Sequence, residues 1–183
     1  MSEHHIMEEL MTDVEVLIDT SELDEIIETF GSLGASSEVS NLFKPLVDMA
    51  SDIKKGVESG AKDGAKKVGE RLKSLQEMYI ALNGSIVSGD LLSSIKNRKL
   101  DEYRWRIGTD IAHFYPLTIE FGRGPVRPVN KPFLQFKIGD QWIRTKFVRD
   151  TYTTHTPFVE PAFNVVVEEA EEIVWMAIGN ATD

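Results

Sequence analysis

The chain has 183 residues, 42% of them hydrophobic, which suits one packed domain or one domain with a small appendage. It contains no cysteine, so disulfides and thiolate chemistry are excluded, and no apolar run of about 18 residues predicts a membrane span. The net charge of −10 arises at the start, where residues 1–43 hold 11 acidic and no basic residues, because the rest holds 20 basic and 19 acidic residues.

The first predicted elements lie in this acidic segment. Residues 14–18 are rich in β-branched side chains and predict a short strand. Residues 19–21 then offer N-capping side chains for a short helix with apolar residues at helical spacing: Leu23, Ile26, Ile27 and Phe30. We expect residues 1–35 to form a solvated strand and helix; the alternative is an acidic surface that faces passing DNA or a basic partner ring. Met1–Leu10 lacks the basic start and apolar core of a secretory signal.

A long helix is predicted next, over about residues 46–82, with Pro45 at its start or at a kink. Gly56, Gly60 and Gly64 lie four residues apart in its first half and predict a close approach to another helix or a hinge. Apolar residues recur along this helix at alternating intervals of four and three residues and form a seam. The period of 3.5 is typical of helix packing. The seam residues are Ala61, Ala65, Val68, Leu72, Leu75, Tyr79 and Leu82.

The pattern changes to β structure over about residues 86–148. Tyr103–Gly108 alternates aromatic or apolar with basic residues, as a half-exposed strand does. Residues 133–138 and 141–148 flank Gly139-Asp140 and predict an antiparallel hairpin with a two-residue turn. A final helix over about residues 161–178 is predicted to have one apolar face: Phe163, Val166, Val167, Ala170, Val174 and Ile178.

These elements predict an α+β fold: a small, mainly antiparallel sheet packed by one long helix and a C-terminal helix, with an N-terminal strand–helix element. We expect residues 1–35 and 36–183 to form one structural domain. No spacing of Ser, His, Asp or Glu predicts a catalytic site, and the four histidines are expected to be surface or core-edge residues. We therefore expect no enzyme activity, no cofactor and no metal.

Three short motifs each combine residues that fix the backbone with apolar anchors. They are Gly89–Ile95, Phe114–Gly122 and Thr156–Phe163. The residues that define them are Gly89, Leu91, Ser94, Ile95, Glu120, Phe121, Gly122, Pro157, Phe158, Pro161, Ala162 and Phe163.

Each motif carries a specific expectation. The first is read as a turn followed by a short helix or strand, with Asp90 capping exposed amides. In the second, Glu120 is placed on an extended segment between apolar residues, paired with Arg123, Arg127 or another basic neighbour. In the third, two prolines stiffen the approach to the last helix, and Phe158 with Phe163 pins that helix to the sheet.

In this order and with this spacing, the motifs resemble those of the head-proximal tail-component family of long-tailed phages. Residues 88–95 resemble the family pattern Thr-Gly-x-Leu-x-x-Ser-Ile, with Ser88 in place of Thr. Ile119–Gly122 resembles the end of the pattern Tyr-Ala-x-x-Val-Glu-Phe-Gly, and Pro157–Phe163 resembles Pro-Phe-Leu-x-Pro-Ala-Phe. The resemblance covers roughly residues 60–175.

The resemblance implies a virion structural protein of a tailed phage or tailed virus, assembled in the host cytoplasm. Such a protein forms a homo-oligomeric ring at the head–tail junction, as a neck or tail-completion protein. Its partners are other copies of itself, the head connector or adaptor, and the tail tube or tail terminator. DNA passes through the ring without specific recognition, and no membrane is involved.

Residues 90–150 are basic, with 12 Lys or Arg against 7 Asp or Glu. Four of these residues are expected on strand faces: Arg104, Arg106, Arg144 and Lys146. We expect this basic face to meet the acidic N-terminal region of the next subunit and so close a ring. The proline-stiffened loop Gly122–Lys131 is expected to reach a partner through Arg123, Arg127 and Lys131. The alternative is a nucleic-acid-binding accessory protein that uses the basic face.

Overall fold

The computed structural model describes residues 11–33, 40–83, 89–110, 114–122, 127–129, 131–138, 141–148 and 156–182. Its helices are α1 (Ser21–Leu33), α2 (Ser40–Leu82), α3 (Asp90–Ser94), α4 (Phe114–Phe121) and α5 (Val159–Thr182). Its strands are β1 (Met11–Glu15), β2 (Ile95–Lys99), β3 (Arg104–Thr109), β4 (Leu134–Ile138) and β5 (Gln141–Thr145). The predicted α+β class is confirmed, with its long helix, C-terminal helix and N-terminal strand–helix pair.

The described strands form two antiparallel sheets, whereas the sequence analysis placed them in one. The first sheet has the order β1-β3-β2, and β4 pairs with β5 in a separate hairpin. The hairpin register runs from Leu134 opposite Thr145 to Ile138 opposite Gln141. This register leaves two residues between the strands, although Gly139 and Asp140 themselves lie outside the described residues. The hairpin therefore has the predicted strands, but it does not extend the main sheet.

Strand β1 begins three residues before the predicted strand. Its fourth residue, Val14, packs against the core and pairs with Trp105 of β3. The ladder continues past the end of β1, because Val16 N donates a hydrogen bond of 3.0 Å to Tyr103 O. The β-branched run therefore marks the strand but not its boundaries, which depend on pairing with a strand about 90 residues away.

The core forms where α2 meets the main sheet and α5. Ala61, Ala65 and Leu72 of the predicted seam are fully buried. Leu82, the last seam residue, is 71% exposed, so its predicted burial is wrong. Gln76 and Ile80 are buried in the last turns instead. A strict seven-residue repeat drifts by about 20° per heptad around a straight helix, so three heptads carry Leu82 about 60° from Ala61.

Helices α2 and α5 are antiparallel and approach closely along the three glycines. A Cβ atom built on Gly60 would lie 2.9 Å from Ala177 O and would overlap the backbone of Ile178. Gly56 faces Thr182, and Gly64 faces Val174. The prediction of a close helix–helix approach is thus confirmed, because the contact leaves no room for a side chain.

Helix α5 begins at Val159, and its buried face overlaps the predicted one, because Val166 is buried and Ala170 and Val174 pack against the core. Its buried residues are Ala162, Val166 and Ala177. Phe163 is 43% exposed and Val167 is 57% exposed, so their predicted burial is wrong. The residues of α5 that lie opposite the α2 glycines include Val174, Ile178 and Thr182, so the close approach depends on the missing side chains of α2.

Candidate functional site

The first motif is a tight turn that anchors the start of β2. Gly89 has φ 77°, the left-handed conformation that glycine adopts without a steric cost, and it is the N-cap residue of α3. Asp90 lies one residue later, in the first turn of the helix, where a negative charge is favoured by the helix dipole. Leu91 and Ile95 are buried in the core, as expected of anchors.

Ser94 is the buried polar residue of this motif. Its hydroxyl donates to Leu91 O at 2.7 Å and shares a hydrogen bond of 2.6 Å with Thr109 Oγ1. Thr109 is the last residue of β3, so this contact fastens the end of α3 to the main sheet. These two hydrogen bonds satisfy the buried hydroxyl and hold the turn against the main sheet.

Glu120 in the second motif joins helix α4 to the start of helix α5. It lies in α4, so the predicted extended segment is wrong, and it is only 3% exposed. Its carboxylate accepts hydrogen bonds from the backbone N–H groups of Phe158 (2.7 Å), Val159 (3.0 Å) and Glu160 (3.0 Å). These N–H groups belong to the start of α5, where amides have no acceptor within the helix and the helix dipole favours an anion.

Among the described residues, Glu120 caps helix α5 and does not form the predicted ion pair. Neither Arg127 nor another described basic side chain pairs with it, and Arg123 lies outside the described residues. Phe121 is exposed, and Gly122 has φ 77° and follows the last residue of α4, as a left-handed helix terminator does. Glu120 is therefore a structural carboxylate that positions α5.

The third motif completes this joint. Phe158 and Ala162 are fully buried. Thr156 N donates to Ile119 O at 3.2 Å, and Asn83 Nδ2 donates to Thr156 O and Pro157 O, each at 3.2 Å. The end of α2, the end of α4 and the start of α5 therefore meet at one point.

In this motif, Pro161 lies in the first turn of α5 as predicted, whereas Phe163 does not have its predicted role. Pro161 is the third residue of α5, where its missing N–H removes no helical hydrogen bond. The predicted pinning role of Phe163 is wrong, because its ring is exposed on the side of α5 that faces β1 across a cavity. Two features of the sequence are consistent with the capping of α5 by Glu120. Glu120 lies between the apolar residues Ile119 and Phe121, and the start of α5 has no capping side chain of its own.

The four basic strand residues do not share one face. Arg104 and Arg106 lie on β3, Arg144 lies on β5, and Lys146 follows β5. Arg104 Nε lies 3.3 Å from Asp101 Oδ2. Arg144 lies over the ring of Phe133, with its guanidinium carbon 4.8 Å from the ring centre. The basic residues are therefore divided between the main sheet and the hairpin.

Arg106 pairs with the acidic N-terminal strand of its own chain. Its Nε and a terminal nitrogen donate to the two carboxylate oxygens of Asp13 at 2.7 and 2.9 Å. The hydrogen bond from Arg106 lowers the pKa of Asp13 below its ordinary value of 3.8. The predicted contact between acidic N-terminus and basic strand thus exists within one chain, across the β1–β3 pair.

The predicted partner loop is described in part. Arg127 lies over the ring of Phe147, 5.4 Å from its centre, and Lys131 is exposed before β4. Val129 between them is almost completely exposed. Arg123 and residues 124–126 lie outside the described residues.

Two cavities lie along helix α5, beside β1 and the segment that follows it; together we call them the β1–α5 groove. The first cavity, of about 550 Å³, is lined by Met11–Asp13 and by Phe121, Val159 and Phe163. The second half of the groove is a cavity of about 610 Å³, lined by Glu15–Thr20 and by Val174, Trp175 and Ile178. Leu17 is 85% exposed and Trp175 is 64% exposed at the rim of this second half. Such paired apolar side chains at a surface are typical of a contact site.

Within the described ranges, no group of three His, Asp or Glu side chains is placed to hold a metal ion. No helix in the same ranges combines the length and apolarity needed to cross a membrane. A scan against protein-family models finds no family that matches this chain, and searches of curated proteins and of solved structures find no match either.

Proposed function

We propose that this chain is a virion structural protein of a tailed phage or tailed virus, which forms a ring at the head–tail junction around the DNA channel. The observation that carries the proposal is the ordered set of three motifs that resemble the head-proximal tail-component family. Two of them form one structural unit here, since Glu120 of the second motif caps the helix that begins in the third. A shared architectural role explains why the motifs occur together and in this order.

The distribution of surfaces also supports an assembly role. A ring made of identical subunits needs two different, complementary surfaces on each subunit. The chain has an apolar groove with acidic rims and, in a separate sheet, a hairpin with basic side chains. In the ring, we expect one face to meet the head connector or adaptor and the other to meet the tail tube or tail terminator.

The nucleic-acid-binding alternative has less support from the described contacts. Two of its four basic residues, Arg104 and Arg106, already pair with carboxylates of the same chain. The net charge of −10 also opposes binding to phosphates, because that binding draws its affinity from exposed cations.

Light scattering combined with negative-stain microscopy tests the proposal. We would measure the purified protein alone, with isolated tails and with DNA-filled capsids, and in parallel with duplex DNA at moderate salt. The proposal predicts rings, or a monomer that becomes ordered at one end of the tail or at the capsid portal. A monomer that ignores both particles and binds DNA would refute the proposal and favour the alternative.

A further inference from the structure

We infer that the β4–β5 hairpin of one copy docks in the β1–α5 groove of a second copy, and adds a strand to the open edge of β1. The inference rests on the proposed function in one respect, which is that repetition of this contact closes a ring. The contact itself joins two different surfaces of the same chain, so it is a head-to-tail contact between copies.

The hairpin is the described element that lacks a place in the core. Neither β4 nor β5 packs extensively against another described helix or strand. An isolated two-stranded hairpin is marginally stable in water and gains stability by packing its side chains against another surface. Trp142 on β5 is 64% exposed, and Phe147 just after β5 is also exposed. The hairpin therefore presents at least one aromatic side chain, Trp142, that the described part of its own chain leaves largely exposed.

The hairpin and the residues that flank it are basic. Residues 127–148 hold five basic side chains and one acidic side chain, Asp140, a net of +4, of which the hairpin itself, residues 134–145, contributes +1. The basic ones are Arg127, Lys131, Lys137, Arg144 and Lys146.

The groove has the opposite charge. Among the described residues that line it, every charged side chain is acidic: Asp13, Glu15, Asp19, Glu120, Glu160 and Glu171. Asp13 is neutralised by Arg106, and Glu120 caps α5, which leaves the rim carboxylates of Glu15, Glu160 and Glu171 facing outward around apolar walls. An apolar strand with basic side chains complements this groove, and charge complementarity of this kind selects the partner and its orientation.

The open edge of β1 supplies the backbone contacts. β1 is an edge strand in the order β1-β3-β2, and no β3 residue lines the groove. Because Val16 N bonds to Tyr103 O, the alternation of an antiparallel ladder turns the main-chain groups of Asp13 and Glu15 away from β3. An exposed edge with unpaired N–H and C=O groups is a template for a further strand. Strands β1 and β5 have the same length, five residues each.

The absence of cysteine from the chain allows a direct test by cross-linking. Two single-cysteine variants, Glu15→Cys at the groove and Gln141→Cys on β5, are purified separately, one with a larger tag, and mixed with a short bis-maleimide. Both side chains are exposed, so neither change disturbs the core. We expect a mixed dimer between the two variants and little cross-linking within either variant alone. Lys66→Cys, on the exposed side of α2, replaces Glu15→Cys in the matched control.

Alanine variants test the aromatic contact. Trp142→Ala and Trp175→Ala should each reduce the mixed cross-link about tenfold or more, because buried tryptophans dominate contacts of this kind. Met78→Ala, which removes a half-exposed apolar side chain from α2, should leave the cross-link unchanged. Circular dichroism checks that all three variants fold.

Three results would overturn the inference. Mixed cross-linking no higher than the Lys66→Cys control would exclude this contact, and cross-linking within one single-cysteine variant would indicate a two-fold contact instead. Cross-linking inside a monomer of the double variant Glu15→Cys/Gln141→Cys would show that the hairpin folds onto its own groove. If the mixed cross-link is absent while the protein still orders on tails, the proposed function stands without this interface. If it forms while the protein ignores tails and capsids, the interface stands without that function.

Discussion

Glu120 is the residue on which the arrangement of the motifs depends. From its sequence context, Glu120 is expected on an extended backbone with a basic partner. The sequence does not show that a carboxylate in α4 and three amides about 40 residues later are adjacent, because this contact exists only after both helices have packed. The structural importance of Glu120 can therefore be predicted from the sequence, whereas its capping role depends on the tertiary structure.

Removal of the Glu120 carboxylate should destabilise the protein. Glu120→Ala leaves three N–H groups at the start of α5 without their acceptor, and we expect a loss of about 3 kcal/mol in the free energy of unfolding. That loss corresponds to a fall of about 6–12 °C in melting temperature for a chain of this size. Calorimetry measures it. Glu168→Gln, an exposed change on α5, is the control and should lie within about 0.5 kcal/mol of wild type.

Glu120→Gln distinguishes the charge from the shape of this residue. It keeps one acceptor oxygen and the size of the side chain, so it should cost about half as much as Glu120→Ala. An alanine variant that melts within about 2 °C of wild type would contradict the capping role.

The ion pair of Asp13 and Arg106 gives a pH dependence of known sign. Arg106 lowers the pKa of Asp13 in the folded state, so the folded protein binds this proton less readily than the unfolded chain does. The stabilisation is therefore complete above the ordinary value of 3.8 and is lost as the pH falls through the lower folded value. Both side chains are about 40% exposed, so we expect at most about 1 kcal/mol.

A double-mutant cycle measures this pair. Asp13→Asn and Arg106→Gln, alone and together, should show a coupling energy near neutral pH that disappears in strong acid. The more exposed pair Asp52–Lys55, treated in the same way, should show little coupling at either pH. Equal coupling of Asp13 and Arg106 at both pH values would contradict the assignment.

At the scale of elements, apolar periodicity predicts where the helices lie in the chain but not which exact face each helix buries. The long helix, the final helix and the hairpin strands follow from apolar spacing. Phe163 and Val167 were placed in the core because large apolar residues usually lie there. The structure buries Ala162 and Ala177 instead, since the glycines of α2 bring the helix backbones together. The predicted and the buried faces share Val166, Ala170 and Val174, so the spacing predicts the side of α5 that packs, whereas its exact residues depend on the neighbouring helix.

The glycine contact between α2 and α5 predicts an unusual response to alanine. In a free helix Gly→Ala is stabilising by up to about 1 kcal/mol. Gly60→Ala should instead destabilise the protein by about 1–3 kcal/mol, because the new Cβ overlaps the backbone of Ile178. Gly179→Ala, on the same helix pair but with no atom within 4 Å of the new Cβ, should be neutral or stabilising. Urea denaturation measures both, and stabilisation by both changes would show that the helices are further apart.

At the scale of the whole molecule, the sequence shows that acidic and basic residues are separated along the chain, but it does not show where they lie in space. The acidic start and the basic stretch 90–150 were predicted to meet between subunits. In the structure Asp13 and Arg106 meet within one chain, while the basic hairpin and the acidic groove remain exposed. The groove joins residues about 150 positions apart, so local patterns could not reveal it.

This charge distribution predicts weak binding to free DNA. With a net charge of −10 and with Arg104 and Arg106 already paired, the protein should bind duplex DNA more weakly than about 10⁻⁴ M at moderate salt. Fluorescence anisotropy with a labelled duplex measures this affinity. Arg104→Glu/Arg106→Glu should leave it unchanged, whereas a large loss of tight binding would support the nucleic-acid-binding alternative.

The location of the protein in virus particles tests the central claim most directly. Purified particles of the phage or virus that we propose as the source of the chain would be labelled with a gold-conjugated antibody and imaged by negative-stain microscopy. The account predicts one cluster of label at the junction between head and tail of each particle. Label that is absent from purified particles, or that lies along the tail or over the capsid, would contradict a head–tail joining role.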